Sequence, residues 1–72
     1  MTYRAIAKAI KAHRGRVYAA VNLAGYQLQL EVKKGEAYDT FHNYAVTHGD
    51  AAESGATILI QGDDLLIDSK GE

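Results

Sequence analysis

The chain predicts an α+β fold: a two-layer sandwich with two helices packed on one face of a four-stranded antiparallel sheet. Three observations predict it. An apolar stripe of helical period opens the sequence, a stretch of period-two alternation and a later pair of short apolar runs are each broken by a Gly-containing pair, and a second helical pattern separates them. The element order is therefore α-β-β-α-β-β. The competing arrangement is an N-terminal helix plus a five-stranded antiparallel sheet or small barrel, with residues 36–48 as a strand.

The stretch "TYRAIAKAIKAHRG" reads as an amphipathic helix. At 100° per residue Tyr3, Ile6, Ala7 and Ile10 share one stripe, and Arg4, Lys8 and Lys11 form a ridge opposite. Thr2 suits the N-cap, Gly15 suits a left-handed residue past the end, and His13 and Arg14 stand at the negative end of the helix dipole. In "RVYAAVNLAGYQLQLEVKKG" the alternation continues on both sides of Ala24-Gly25. A two-residue turn there puts Val17, Ala19, Val21 and Leu23 on one face with Tyr26, Leu28, Leu30 and Val32. Arg16, Tyr18, Ala20 and Asn22 then share the other face with Gln27, Gln29, Glu31 and Lys33.

"GEAYDTFHNYAVTHG" has the β-branched and aromatic residues of a strand, and "VKKGE" could turn a bulged hairpin. The helical template matches more positions: Ala37, Phe41, Tyr44, Ala45 and His48 recur at helical spacing and Gly49 follows as a cap. "DAAESG" is an acidic loop. "ATILIQ" and "LLID" form a second hairpin around Gly62-Asp63, where a leading Gly suits a type II′ turn. The tail "SKGE" is expected to fray. This order equals that of a circularly permuted ferredoxin-like unit.

Residues 1–72 make a single small globular domain, with the 47% hydrophobic and 24% charged content of a folded chain. Without Cys, neither a disulfide scaffold nor a Cys-based zinc module is available. No apolar run approaches the ~20 residues that span a bilayer. Alanines alternate with lysines where a signal peptide needs an unbroken apolar core, so a cytoplasmic location without membrane contact is expected. The net charge of -1 hides a division. Residues 1–34 carry seven cations against Glu31, a net +6, and residues 35–72 carry eight carboxylates against Lys70, a net -7. Such asymmetry points either to a charged partner or to two halves that attract each other.

"GDD" between apolar runs reads like the metal-binding hairpin of viral RNA polymerases. A polymerase's other metal-binding segment has no room in 72 residues, and Gly, Asp and Asp are common turn residues for local backbone reasons. His13, His42 and His48 lack the spacing of a metal site, and Ser54 and Ser69 have no histidine at a diagnostic distance. No enzyme, cofactor or metal is expected.

Surfaces remain. The acidic set Asp50, Glu53, Asp63, Asp64 and Asp68 could dock on a basic protein or nucleoprotein groove, with Tyr38, Phe41 and Tyr44 as nearby anchors. The leading expectation is accordingly a non-enzymatic interaction protein that occludes a partner. Small inhibitors encoded by phages and mobile elements, anti-CRISPR proteins among them, share this general profile. The alternative is RNA or DNA backbone binding through Arg4, Lys8, Lys11, Arg14, Arg16, Lys33 and Lys34, with Tyr18 stacking a base. A third possibility is a homodimer joined at an open edge of the short final strand.

Overall fold

The computed structural model describes residues 1–68, apart from the side chains of Asn22, Leu23 and Gln27. It contains helix α1 (Tyr3–Ala12), strands β1 (Val17–Leu23) and β2 (Tyr26–Val32), helix α2 (Lys34–His48), and strands β3 (Thr57–Gln61) and β4 (Asp64–Asp68). The expected element order holds. Residues 34–48 are helical, which removes the five-stranded alternative. The tail expected to fray, Ser69 to Glu72, lies outside the described residues, as do the faces assigned to Asn22, Leu23 and Gln27.

α1 begins where its sequence says it should: the Thr2 hydroxyl accepts the Ala5 N–H at 3.1 Å. Ile6, Ala7 and Ile10 are its buried stripe. Its end differs from expectation. The helix stops at an extended His13, whose N–H donates to the Ala9 and Ile10 carbonyls. Gly15 is no left-handed cap. It is required for space, because a Cβ there would stand 1.6 Å from the Asp63 carbonyl oxygen. The chain passes so close to the β3–β4 turn that only a hydrogen fits.

The first hairpin has the two-residue turn predicted. Leu23 pairs with Tyr26, and Ala24 and Gly25 both take positive φ (51° and 84°), the type I′ geometry that matches strand twist. In the second hairpin Gln61 pairs with Asp64 and Gly62 leads with φ 61°, as a type II′ turn requires.

The sheet order is β2-β1-β4-β3. β1 and β4 run parallel, so the sheet is mixed, and the antiparallel expectation is corrected at this one pairing. A permuted ferredoxin-like unit would seat β2 beside β4. Here β1 takes that place, and because β1 and β2 run oppositely the exchange makes the central pair parallel. The physical reason lies on the face away from the helices. There β1 carries the buried Ala20 and half-buried Tyr18, whereas β2 carries exposed Gln29 and Glu31. The strand that tolerates cover on both faces takes the interior, and the strand that needs water takes the edge.

Both helices lie over the other face. Ile6 and Ile10 pack with Val17, Ala56, Leu65 and Ile67, and Val32, Ala37, Tyr38, Phe41 and Ile58 close the rim. Ala45 is the buried centre of α2, while Tyr44 and His48 of its predicted face stay exposed. Gly49, with φ 104°, caps the helix by donating to the Ala45 carbonyl at 2.8 Å. The acidic loop then returns along the start of α1. Tyr3 N–H donates to the Ala52 carbonyl at 3.1 Å, and Thr2 bridges Glu53.

Candidate functional site

The topology interleaves the two charged halves of the sequence. At the start of α1, Arg4 Nη1 meets Asp50 Oδ2 at 2.7 Å, with both side chains in solvent. Glu53 sits in the same loop, within 3.3 Å of the Met1 amino group. About 15 Å away, one helix length on, the Asp63 backbone lies against Gly15 at the other end of α1, in a groove that Arg14 also lines. Asp64 opens β4 near Arg16. The hydrogen bond to Tyr18 holds the Arg16 guanidinium above its ordinary range, and Tyr18, Glu31 and Asp64 act electrostatically in the same sense. Asp68 ends β4 beside Ala20. The five carboxylates therefore occupy three places and form no single docking face. Among the described residues, no three of His, Asp and Glu converge as a metal-holding group.

The aspartate stretch serves as a docked turn. The His13 ring donates from Nε2 to the Asp63 carbonyl at 2.8 Å. Leu65 N–H donates to the Arg16 carbonyl at 2.8 Å just beyond it. It is the Asp63 backbone, rather than its carboxylate, that the fold uses. Ser54 is likewise structural: its hydroxyl donates to the Met1 carbonyl and accepts the Ala56 N–H. Ser69 lies outside the described residues.

Six of the seven candidate basic residues fall into two groups, and Arg14 stands apart in the groove beside Asp63. Arg16, Lys33 and Lys34 share an open groove at one end of the sheet. Lys33 and Lys34 also begin α2, where the positive end of the dipole disfavours cations. Lys34 offsets this by donating its ammonium to the His13 carbonyl, tying the end of α1 to the start of α2. Arg4, Lys8 and Lys11 form the other group, along a groove of about 260 Å³ between the helices. Across it, α2 presents Tyr38 and His42, stacked at 5.5 Å and 15°, with Lys11 Nζ 5.7 Å from the Tyr38 ring centre. Helical periodicity places Tyr38 and His42 one turn apart, which was the available signal. That they face the α1 ridge is a tertiary fact. Tyr3, Phe41, Tyr44 and His48 make a second aromatic cluster where the two helices meet the acidic loop. His48 fixes its own ring there, donating from Nδ1 to the Tyr44 carbonyl at 3.1 Å.

The third surface went unnoticed in the sequence because alternation assigned it to the core. β4 pairs with β1 only over Val17–Ala20, so the distal half of the β1–β2 hairpin runs past the rest of the sheet. On the helix-facing side of β2, Tyr26 is 73%, Leu28 42% and Leu30 50% exposed. By order of magnitude these three leave 300 Å² of side chain uncovered, roughly the largest apolar patch on a typical monomer and one that is often functional. β2 is also a sheet edge. In a two-residue hairpin the pair flanking the turn is the hydrogen-bonded one, so the backbone groups of Gln27, Gln29 and Glu31 point outward. The final strand, expected to be an open edge, is instead interior; β2 and β3 are the edges.

No helix is long and apolar enough to cross a membrane among the described residues. No protein-family model, curated protein or solved structure matches the chain, so its functional reading rests on these surfaces.

Proposed function

We propose that this chain is a non-enzymatic interaction protein that binds a protein or nucleoprotein partner through the β1–β2 hairpin and occludes the surface it covers. One observation carries the reading: the exposed apolar side of Tyr26, Leu28 and Leu30 is continuous with an edge strand whose backbone donors and acceptors face solvent. A partner segment laid along β2 gains main-chain hydrogen bonds and covers those three side chains together. The edge holds no Pro, and Glu31 is its one charged residue, so little protects it from pairing. Relative to the acidic-surface expectation, the anchor moves from carboxylates to apolar groups. Asp50, Glu53, Asp63 and Asp64, dispersed and in part paired with cations, do not carry the binding. An inhibitor of a host complex, encoded by a phage or mobile element, fits this mode of action.

Affinity capture from host lysate at moderate salt tests the proposal. The wild-type chain should recover a defined partner, the double variant Leu28→Lys/Leu30→Lys should lose it, and Asp63→Lys/Asp64→Lys should retain it at equilibrium. Absence of any partner, or recovery unchanged by the hairpin variant, overturns the proposal.

A further inference from the structure

The groove between α1 and α2 differs in chemistry from the hairpin and lies in another part of the fold. Its floor is made by Ala7 and Ala45, two buried small residues that let the helices approach closely. One bank is the ridge of Arg4, Lys8 and Lys11, about 10 Å long at 1.5 Å per residue. A row of cations opposite an apolar stripe is what any solvated helix carries, and by itself it selects no ligand. The opposite bank does select one. Tyr38 and His42 are stacked nearly parallel, and Lys11 lies over Tyr38. Tyr38 is half-buried and held by the core, so it fixes the plane of the pair; His42 is exposed, and Tyr38 is its one aromatic-ring contact among the described residues. The exposed His42 ring therefore extends a two-ring stack in the groove that Lys8 and Lys11 also line, with the Lys11 ammonium 5.7 Å from the Tyr38 ring centre.

We infer that this groove binds a single-stranded nucleic acid segment, with Lys8 and Lys11 on the phosphates and a base stacked on His42. Flat rings beside a cationic track are the two parts such recognition needs: stacking accepts any base, and the cations follow the backbone. A duplex hides the faces of its bases in its own stack and offers the groove phosphates alone. An acidic peptide would use the cations and leave the rings idle. Arg4 contributes less than its neighbours, because Asp50 already neutralises it. The inference is independent of the hairpin proposal.

Fluorescence anisotropy of the full chain tests it, with four labelled probes: a short mixed-sequence single-stranded RNA, the matching single-stranded DNA, the duplex, and a poly-glutamate peptide. Lys8, Lys11 and His42 are exposed, so their variants should keep the fold, which circular dichroism checks. The single strands should bind at low salt and weaken steeply as salt rises. Lys8→Glu/Lys11→Glu should cut their affinity at least about tenfold and flatten the salt slope by about two. His42→Ala should cut it about tenfold for single strands while leaving poly-glutamate and duplex binding unchanged. Leu28→Lys/Leu30→Lys should bind single strands as wild type does, so that failure of one proposal is distinguishable from failure of the other. No single-strand binding at low salt overturns the inference. So does single-strand binding indifferent to His42→Ala, which would mark a general anion site, and so does a duplex bound as tightly as its single strands.

Discussion

Two stretches of one sheet face carry the same kind of apolar side chain and meet opposite fates. Val17, Leu65 and Ile67 lie beneath α1 and α2 and are almost wholly buried, while Leu28 and Leu30, on the same side of β2, are about half exposed. Side-chain chemistry does not separate them. Position in the sheet does: Leu28 lies beyond the level of Ala19 and Ile67, where the core ends, and Leu30, level with them, stands on the edge strand. An apolar face in a strand is thus a demand for cover, and in this chain half of that demand is left for something else to meet.

Measurements can break that contrast. The largest effect is expected at Ile10→Ala, which opens a cavity at a fully buried site and should cost about 4 kcal/mol in urea unfolding. Leu30→Ala should cost about 1 kcal/mol or less, since much of its side chain already meets water. Equal costs would mean that the hairpin is covered in solution. Next comes Gly15→Ala, where a methyl group would collide with the Asp63 carbonyl. A loss of about 3 kcal/mol is expected, because backbone meets backbone and neither side can yield cheaply. A neutral result would show that the β3–β4 turn does not dock there. Thr2→Ala removes the α1 N-cap and should cost about 1 kcal/mol by the same assay. The smallest effect has the opposite sign. Ala24 holds φ 51° at the exposed hairpin tip, so Ala24→Gly should stabilise the protein by about 0.5 kcal/mol. If it destabilises instead, the turn is not type I′.

Much of the fold was legible because it rests on local rules. Thr2, the Ala24-Gly25 and Gly62-Asp63 turns, and the spacing of Ala37, Phe41 and Ala45 each report on backbone geometry within a few residues. Gly15 shows where such rules end. A glycine past an amphipathic stripe is a sound local cap, yet its actual neighbour is 48 residues away in sequence. The candidate surfaces were less legible for the same reason. Arg4, Lys8 and Lys11 could be grouped from one helix alone, but Tyr38 and His42 join them only once α2 packs across. The acidic residues looked like one surface because they share half of the sequence. They are dispersed because β4 runs alongside β1 and the loop of Asp50 and Glu53 returns to the start of α1.

Periodicity, turn chemistry and capping residues, acting over one to four residues, dictated two helices, two hairpins, their order and the turns of both hairpins. Strand neighbourhood answers to a different cost. Whether β1 or β2 lies beside β4 depends on which strand can lose water from both faces, a comparison between segments that no local pattern contains. That choice made the central pairing parallel, set β2 at the edge, and left Tyr26, Leu28 and Leu30 exposed.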